Sequence, residues 1–379
     1  MKVLIIHNIL WAHYKSALFQ SISNNADPDT EVRVVHLAKN DITRKSMESA
    51  AFEYDYPYDV LFDKYIEELS FFEKFWKLLT YILAYKPDII NVTGYAVDPA
   101  ISMSIFIGKV LGKKVILSTE TSTTDNAKTF IKESIKKLFI KASDAFICFG
   151  STSADYVLEL GGKPNQIIEK RAAVVDDKTL LKQFNAAKEE GFKLSSPTPK
   201  HNFIFVGRLI DVKNLPFLFK VFAEIKQTEE TAKDWGLIML GDGDLKEELQ
   251  KLRSDLKLED VTFLPPVAWY DVPKYYTVAD VLLLTSTSEA WGLVVNEAMV
   301  CGLPVIVSDK CGCHLDLING NGFVFQSNDA VGLKIAILSL MKDEKLRTEM
   351  GQKSKEVIKN FSLDEVSKRI LKGFKQYAS

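Results

Sequence analysis

Two glutamates, eight residues apart, are the side chains of this sequence whose spacing best fits a sugar-carrying ligand. Glu289 lies in a polar loop after the apolar run Val281–Leu284, and Glu297 lies in the early turns of a helix predicted over Leu293–Val300. A carboxylate accepts two hydrogen bonds at once, which suits a vicinal diol. The helix start adds free N–H groups that favour an anion. The pair therefore predicts a site for an anion that carries sugars, although two solvated glutamates would show the same spacing.

Two cations follow an earlier predicted strand. The apolar run Phe203–Val206 is followed by Gly207, Arg208 and Leu209, and Lys213 stands just before a predicted helix. Both cations thus lie past the carboxyl end of a strand, where open parallel sheets bind ligands. They could clamp a diphosphate and stabilise the charge on a departing phosphate, as a metal ion does elsewhere. Taken alone, they also fit two solvated surface cations.

Short apolar runs alternate with helical patterns along most of the chain. Such alternation predicts parallel sheets with helices on both faces. The turn after the first strand, residues 7–14, contains no glycine, so the dinucleotide fingerprint of a dehydrogenase is missing. In the first half, strands are predicted at residues 3–6, 32–35, 89–92, 115–117 and 145–148, with helices near residues 14–23, 71–85, 99–111 and 130–142.

Length and charge bound the organisation. A chain of 379 residues predicts two domains of ordinary size. We expect an N-terminal domain at residues 1–185, a polar, proline-containing linker at 186–200, a C-terminal domain at 201–361 and a final helix at 362–379. The net charge of -2 argues against a nucleic-acid partner.

The N-terminal run is too short for a signal peptide, and no uncharged span reaches membrane-crossing length, so we expect a cytoplasmic protein. Four cysteines fit a reducing compartment. Cys311, Cys313 and His314 lie close together, but no second cluster of ligands accompanies them. Since structural zinc normally has four ligands, we expect no metal site.

The elements from residue 203 to 325 match one known family in type, order and approximate spacing. They are Gly207-Arg208-Leu209 with Lys213-Asn214, the Gly241-Asp242-Gly243 turn, the glutamate pair, and Gly302-Leu303-Pro304. The chain thus resembles retaining glycosyltransferase family 4 of the GT-B fold, the glycosyl transferases group 1. The resemblance implies two Rossmann-like α/β domains that face each other across a cleft, with the C-terminal helix packing back on the N-terminal domain.

The resemblance also implies roles for individual residues. Arg208, Lys213 and Glu289 would be catalytic, together with Glu120, in a loop where many family members carry a histidine instead. His13, Tyr14 and Tyr95 would line the acceptor side, as would the aromatic loop at 41–63. The donor-binding residues would be Gly207, Gly241, Gly243, Val267, Ala290, Trp291, Gly292, Leu293 and Glu297.

The implied activity is metal-independent, retaining transfer of a hexose from a nucleotide diphosphate sugar, with a UDP-sugar favoured and no cofactor. The acceptor would be a saccharide or a lipid-linked saccharide in cell-surface polysaccharide biosynthesis. One alternative is a nucleotide-sugar 2-epimerase, which would form product without an acceptor. Another is a non-catalytic sugar-nucleotide binding protein, which would show neither transfer nor hydrolysis.

Residues 128–141 form a lysine-rich amphipathic segment. Ile131, Ile135, Leu138 and Phe139 share one helical face, and lysines surround it. Such a helix can lie on anionic lipid, with Phe130 or Ile140 entering the headgroup layer. It also fits an ordinary helix that buries one face against a sheet. The segment therefore predicts peripheral membrane contact at the inner face of the membrane as one of two interpretations.

Overall fold

The computed structural model describes residues 1–42, 54–94, 98–121, 130–195 and 198–378. The chain forms two compact units that divide between Asp176 and Asp177. The segment from Phe361 onward belongs to the first unit.

The first unit alternates strands and helices along the chain. Its elements are β1 (Lys2–Ile9), α1 (His13–Asn25), β2 (Glu31–Asn40), β3 (Tyr58–Tyr65), α2 (Phe71–Tyr85), β4 (Ile89–Val92), α3 (Pro99–Val110), β5 (Lys114–Thr119), α4 (Phe130–Ala142), β6 (Ala145–Cys148), α5 (Ser151–Glu159) and β7 (Ile167–Glu169). Among the described residues these strands pair in parallel, in the order β3-β2-β1-β4-β5-β6-β7.

The second unit repeats this architecture. Its elements are α6 (Asp177–Glu189), β8 (His201–Val206), α7 (Leu215–Thr228), β9 (Trp235–Leu240), α8 (Lys246–Asp255), β10 (Val261–Leu264), α9 (Val272–Tyr276), β11 (Val281–Leu284), α10 (Leu293–Val300), β12 (Val305–Ser308), α11 (His314–Leu317), β13 (Gly322–Phe325), α12 (Ala330–Lys342) and α13 (Glu344–Ile358). Its strands, within the described part of the chain, also pair in parallel, in the order β10-β9-β8-β11-β12-β13.

The final helix, α14 (Leu363–Ala378), packs on the first unit against α1. The Ser21 hydroxyl donates to the Ser367 hydroxyl at 2.9 Å, and the Asn25 amide donates to the Asp364 carboxylate at 3.2 Å. The predicted fold class, two parallel-sheet α/β domains with the C-terminal helix on the first, is confirmed.

Local sequence explains why these elements form. Every residue of β4, β6, β11 and β12 is buried, as expected for strands that helices cover on both faces. Ser70 and Glu73 form a capping box at the start of α2. Asp98 caps α3 by accepting the Ala100 N–H at 2.8 Å.

The strand order places two sets of loops where ligands bind. It reverses between β1 and β4 in the first sheet and between β8 and β11 in the second. In open parallel sheets, ligands bind beyond the carboxyl ends of the strands at such a reversal. The segments after β8 and β11 carry Arg208, Lys213 and Glu289. In the first unit, His13 begins the helix after β1, and Glu120 directly follows β5.

The division between the units differs from the sequence-based boundary at residue 185. Residues 177–189, partly assigned to a linker, form α6, which belongs to the second unit and packs against α9 and α10. Leu180 and Ala187 supply its buried contacts, and its other side chains are mostly polar. That sparse apolar pattern is why the helix was not predicted. The elements β3, α5, β7, α11 and β13 were not predicted either.

Helix α4 exposes part of its predicted apolar face. Ile135 and Leu138 are about half exposed, at 48% and 54%, whereas Ile140, predicted to protrude, is buried. On α2, which lies along the neighbouring α3, the rings of Phe72 and Trp76 are also exposed. In the part of the chain that the structure describes, no helix combines the length and apolar character needed to cross a bilayer.

Candidate active site

The second unit brings two of the predicted catalytic side chains into contact. Lys213 ends a short 3-10 helix, Asp211–Lys213, after β8, and Glu289 lies in the loop after β11. Their ammonium and carboxylate groups form an ion pair, with side chains only 15% and 20% exposed. Because partial burial lowers the effective dielectric, this attraction is stronger than that of a surface pair. The adjacency of β8 and β11 joins two residues that lie 76 positions apart in sequence.

The loop that carries Arg208 rests on the turn after β9. Leu209 is fully buried and donates its N–H to a carbonyl of that turn at 2.8 Å, while Arg208 lies exposed. Gly241 has a φ of +150°, and a Cβ there would fall 1.9 Å from the Gly207 carbonyl oxygen. Glycine is therefore required for two backbones to meet. Donor contacts by Gly207, Gly241 and Gly243 remain predictions.

The Glu289 loop is fixed from its other side by the loop after β12. The Glu289 N–H donates to the Lys310 carbonyl at 3.1 Å, and the Gly312 N–H donates to the Glu289 carbonyl at 2.9 Å. Glu289 and Cys311 thus form a parallel β-bridge. This pairing fixes the backbone that carries the carboxylate, and the carboxylate itself meets Lys213.

The start of α10 is built by a glycine and a buried indole. Gly292 caps the helix with a φ of +97°, in the left-handed region that favours glycine. Trp291 is buried, and its indole N–H donates to the Asn296 side-chain oxygen at 2.8 Å. The ring of Trp291 therefore serves the fold, and its carbonyl accepts the Cys313 N–H at 3.2 Å. A donor contact by Trp291 stays a prediction. Ala290 and Leu293, on either side, are half-buried.

Glu297 lies one turn into α10, half-buried beside Tyr276. The Tyr276 hydroxyl donates to the Glu297 carboxylate at 3.4 Å. Burial raises the pKa of Glu297 to about 7, against a smaller opposing effect of the tyrosine. The carboxyl thus titrates near neutral pH, and hydrogen bonds from a diol would favour its ionised form. Val267, the other predicted nucleotide contact, lies half-buried between β10 and α9.

The first unit contains a second cluster at the carboxyl ends of its strands. Glu120, directly after β5, forms an ion pair with Lys15 at 2.8 Å and accepts the Tyr14 hydroxyl at 3.3 Å. The Lys15 side chain is only 4% exposed, and its ammonium lies 4.3 Å from the centre of the Phe149 ring. The partner carboxylate and the ring face explain how this lysine is buried while charged.

The remaining acceptor residues are placed in part. His13, the first residue of α1, bonds through Nδ1 to the Tyr54 hydroxyl. Burial raises the pKa of Tyr54 to about 12, so the Tyr54 hydroxyl stays protonated near neutral pH. Tyr95 lies outside the described residues, as does most of the first half of the 41–63 loop. Residues 58–63 of that loop belong to the edge strand β3.

Within the ranges that the structure describes, no group of three carboxylate, imidazole or thiol side chains converges as metal ligands. Cys311 and Cys313 are fully buried, and burial raises the pKa of the Cys311 thiol to about 11. His314 bonds through Nδ1 to the Cys311 carbonyl at 2.8 Å. These three side chains are therefore part of the packing behind the Glu289 loop.

Sequence reasoning missed the residues that hold the predicted ones. They are Lys15 beside Glu120, Tyr276 beside Glu297, and Thr285, whose hydroxyl donates to the Lys213 carbonyl at 2.8 Å. Each contact joins segments far apart in the chain, so no local spacing signals it. A lysine among apolar neighbours early in α1 is the one sequence feature that could have drawn attention to Lys15.

The fold and these sites define a two-domain α/β protein of the GT-B fold. The sequence profile of the family described as "Glycosyl transferases group 1" matches residues 187–357. The chain is 27% identical over 276 residues to N-acetyl-alpha-D-glucosaminyl L-malate synthase of Bacillus anthracis. This alignment covers 72% of the chain and 70% of that relative. It is 32% identical over 155 residues to a D-inositol 3-phosphate glycosyltransferase of Pseudarthrobacter chlorophenolicus, covering 40% of the chain and 37% of the relative.

Solved structures agree on the fold. Anabaena Alr3699/HepE in complex with UDP superposes with a TM-score of 0.76 at 16% identity, covering 99% of the chain and 100% of that protein. Together these findings support a glycosyltransferase of the GT-B fold, with the glycosyl transferases group 1 profile in residues 187–357.

Proposed function

We propose that the protein transfers a hexose from a UDP-sugar, with retention of the anomeric configuration, to a saccharide or lipid-linked saccharide in cell-surface glycan synthesis. The observation that most supports this is the Lys213–Glu289 ion pair at the strand reversal of the second sheet, on the same loop system as Arg208. UDP is favoured because Anabaena Alr3699/HepE, of the same fold, binds it.

In the proposed reaction, the bond between the anomeric carbon and the β-phosphate oxygen breaks, and a bond to the acceptor oxygen forms on the same face of the sugar. The departing phosphate takes the proton of the acceptor hydroxyl, so no protein base is needed. Arg208 and Lys213 stabilise the charge that grows on this phosphate. With these cations in place, the proposal includes no metal and no cofactor.

Lys213 and Glu289 are suited to work as a pair. An ammonium has three N–H donors, so Lys213 can keep its bond to Glu289 while it donates to a phosphate oxygen. The carboxylate of Glu289 keeps acceptor capacity for the hydroxyls of the donor sugar. The ion pair thereby fixes the sugar and the leaving group relative to each other, which is the positioning that a displacement at carbon requires.

Glu297 would hold the ribose of the nucleotide. Its carboxylate can accept both hydroxyls of the diol, and the Tyr276 hydroxyl fixes its orientation. The first unit would bind the acceptor through His13 and Tyr14, with Tyr95 added on sequence grounds alone. Glu120, predicted as catalytic, would contact the acceptor hydroxyl that reacts. Lys15 holds the Glu120 side chain in place through their ion pair, and a carboxylate is a strong acceptor for a sugar hydroxyl.

A donor screen with the purified protein tests the proposal. UDP-sugars and GDP-sugars are offered with and without saccharide acceptors, and release of the nucleoside diphosphate is measured. NMR of the product reads its anomeric configuration, which should equal that of the donor. A 2-epimerase would convert the donor sugar without an acceptor, and a non-catalytic binding protein would bind the nucleotide without product. Either outcome, or an inverted product, would contradict the proposal.

We further propose that α4 and α2 contact a membrane at the inner face. The exposed apolar side chains Ile135 and Leu138 on α4 lie among the exposed lysines 132, 137 and 141, and Phe72 and Trp76 project from α2. Apolar side chains can enter the headgroup layer, and each lysine near anionic lipid contributes on the order of 1 kcal/mol. The Lys136 ammonium instead donates to the Tyr156 hydroxyl at 2.9 Å, so we do not count Lys136 among the lysines that would contact lipid.

Sedimentation with vesicles tests this contact. Binding to vesicles rich in anionic lipid should be strong at low salt, weaker at physiological salt and absent with neutral lipid. Replacing Lys132 and Lys137 by glutamate should abolish it. Replacing Lys345, which is 86% exposed on α13 of the second unit, is the matched control and should leave binding unchanged. Absence of binding to anionic vesicles at low salt would refute the contact.

A further inference from the structure

A buried threonine ties the Lys213 loop to the Glu289 loop. Thr285 follows β11 directly, is fully buried, and donates its hydroxyl to the Lys213 carbonyl at 2.8 Å. Two positions on, the Thr287 N–H donates to the Val212 carbonyl at 2.8 Å. The two loops that carry the ion pair are therefore joined at consecutive carbonyls of one loop.

The Lys213 carbonyl has a particular need for this bond. The 3-10 helix ends at Lys213, and Asn214 then turns the chain with a φ of +57°. Carbonyls at the end of a helical turn have no partner within the turn. The Thr285 hydroxyl donates the hydrogen bond that the Lys213 carbonyl would otherwise lack. The backbone of the lysine is thus held from inside the unit, and its ammonium points to Glu289.

We propose that Thr285 is a positioning residue for transfer: it acts through Lys213 and sets where the ammonium meets the β-phosphate. The inference rests on the proposed function. It extends that function from side chains that would contact the donor to Thr285, which is fully buried and cannot contact it. Thr287 makes its bond to Val212 through the backbone, so it persists when Thr285 is changed. Loss of the Thr285 hydroxyl should therefore release the lysine without detaching its loop.

Three variants test this. Thr285→Val keeps the shape and removes the hydroxyl, and Thr285→Ser keeps the hydroxyl. Ser354→Ala is the matched control, because Ser354 is equally buried and donates to the Leu303 carbonyl at the same 2.8 Å, at the amino-terminal side of β12. Calorimetry measures the affinities for UDP and UMP. Because UMP lacks the β-phosphate, the ratio of the two affinities measures how much the β-phosphate contributes to binding. Turnover and the melting temperature are measured alongside.

We expect Thr285→Val to reduce the UDP-to-UMP affinity ratio about tenfold with UMP affinity unchanged, and to lower kcat by roughly 10- to 100-fold, as displacements near 1 Å do. Thr285→Ser should restore both quantities. Ser354→Ala should lower the melting temperature and leave the ratio and kcat as they are. A structural role alone would move the melting temperature without moving the ratio.

Two results would overturn the inference: a wild-type ratio in Thr285→Val, or a wild-type protein that binds UDP no more tightly than UMP. The affinity ratio needs no turnover, so the two proposals fail separately. If the ratio falls in Thr285→Val while the wild type transfers no sugar, the proposed function is wrong and the positioning role stands. If transfer occurs and the ratio does not change, the positioning role is wrong.

Discussion

Replacing Lys213 by methionine tests the proposed clamp most directly. Methionine keeps most of the apolar stem and removes the charge. If Lys213 stabilises the departing phosphate, turnover at saturating donor should fall about 100-fold or more, which corresponds to about 2.7 kcal/mol of transition-state stabilisation. Arg208→Met should reduce turnover similarly, since both cations would act on one phosphate.

The two variants should differ in stability, because their surroundings differ. Lys213 and Glu289 are 15% and 20% exposed, so their pair lies between a surface pair and a buried one. A surface pair is worth up to ~1 kcal/mol and breaking a buried one costs ~3–5 kcal/mol, so Lys213→Met should lower the free energy of unfolding by about 1–2 kcal/mol. Arg208 is exposed, and its removal should leave stability nearly unchanged.

Steady-state release of UDP with acceptor present measures turnover, and urea unfolding measures stability. The double variant Lys213→Met/Glu289→Gln should regain stability, because no unpaired carboxylate remains, but not turnover. Turnover of Lys213→Met within threefold of the wild type would refute the clamp. Recovery of turnover in the double variant would show that the lysine only neutralises Glu289.

Four further predictions concern Glu297, the metal-free reaction and the Lys74–Asp98 ion pair. Uridine, which lacks a titrating phosphate, should bind more weakly below pH 7 than above it. The reason is that the pKa of Glu297 is raised to about 7 and the ionised carboxylate accepts the diol. Calorimetry on Glu297→Gln should show weak binding with no such pH dependence. Because a raised carboxyl pKa means that the folded state binds the extra proton, urea unfolding should show the wild type losing stability relative to Glu297→Gln as pH rises from 4.5 to 7. Transfer should continue in excess EDTA, and loss of activity that magnesium or manganese restores would contradict the metal-free proposal. Lys74→Met should lower the free energy of unfolding by about 3 kcal/mol or more in urea titrations, because it leaves Asp98 unpaired at 5% exposure, while the exposed Lys77→Met should change little.

The stretch from residue 281 to 304 was predicted almost residue by residue. The strand β11 and the helix α10 have the predicted bounds, Val281–Leu284 and Leu293–Val300. The signals in this stretch are local: a four-residue apolar run, a polar segment after it and a glycine before a helix. In the structure each of them corresponds to an element formed by the same residues. Where the local pattern was weak, as in the mostly polar α6 or the edge strands β3 and β13, the prediction missed the element. Those elements are stabilised by packing on one face, which a short or sparse pattern does not reveal.

The side-chain partners could not be predicted by the same means. Thr285 meets Lys213 because β8 and β11 are adjacent strands, and Tyr276 meets Glu297 because α9 packs against α10. Both facts follow from the strand order and from helix packing. Neither follows from spacing along the chain. The predicted site therefore contained the residues with charges and glycines, and lacked those that hold them in place.

The same reasoning explains why the sequence predicts a donor side in more detail than an acceptor side. A diphosphate needs cations and close backbone approach, and these requirements select Arg, Lys and Gly at strand ends. A neutral sugar needs only hydrogen bonds and ring faces, which many polar and aromatic residues supply without fixed spacing. Lys15 illustrates the consequence: in the sequence it is one lysine of a short helix, and only the fold shows it buried against Glu120. If Glu120 is the acceptor residue that we propose, Lys15→Met should weaken acceptor use and leave UDP affinity unchanged, a separation that kinetics with varied acceptor can measure.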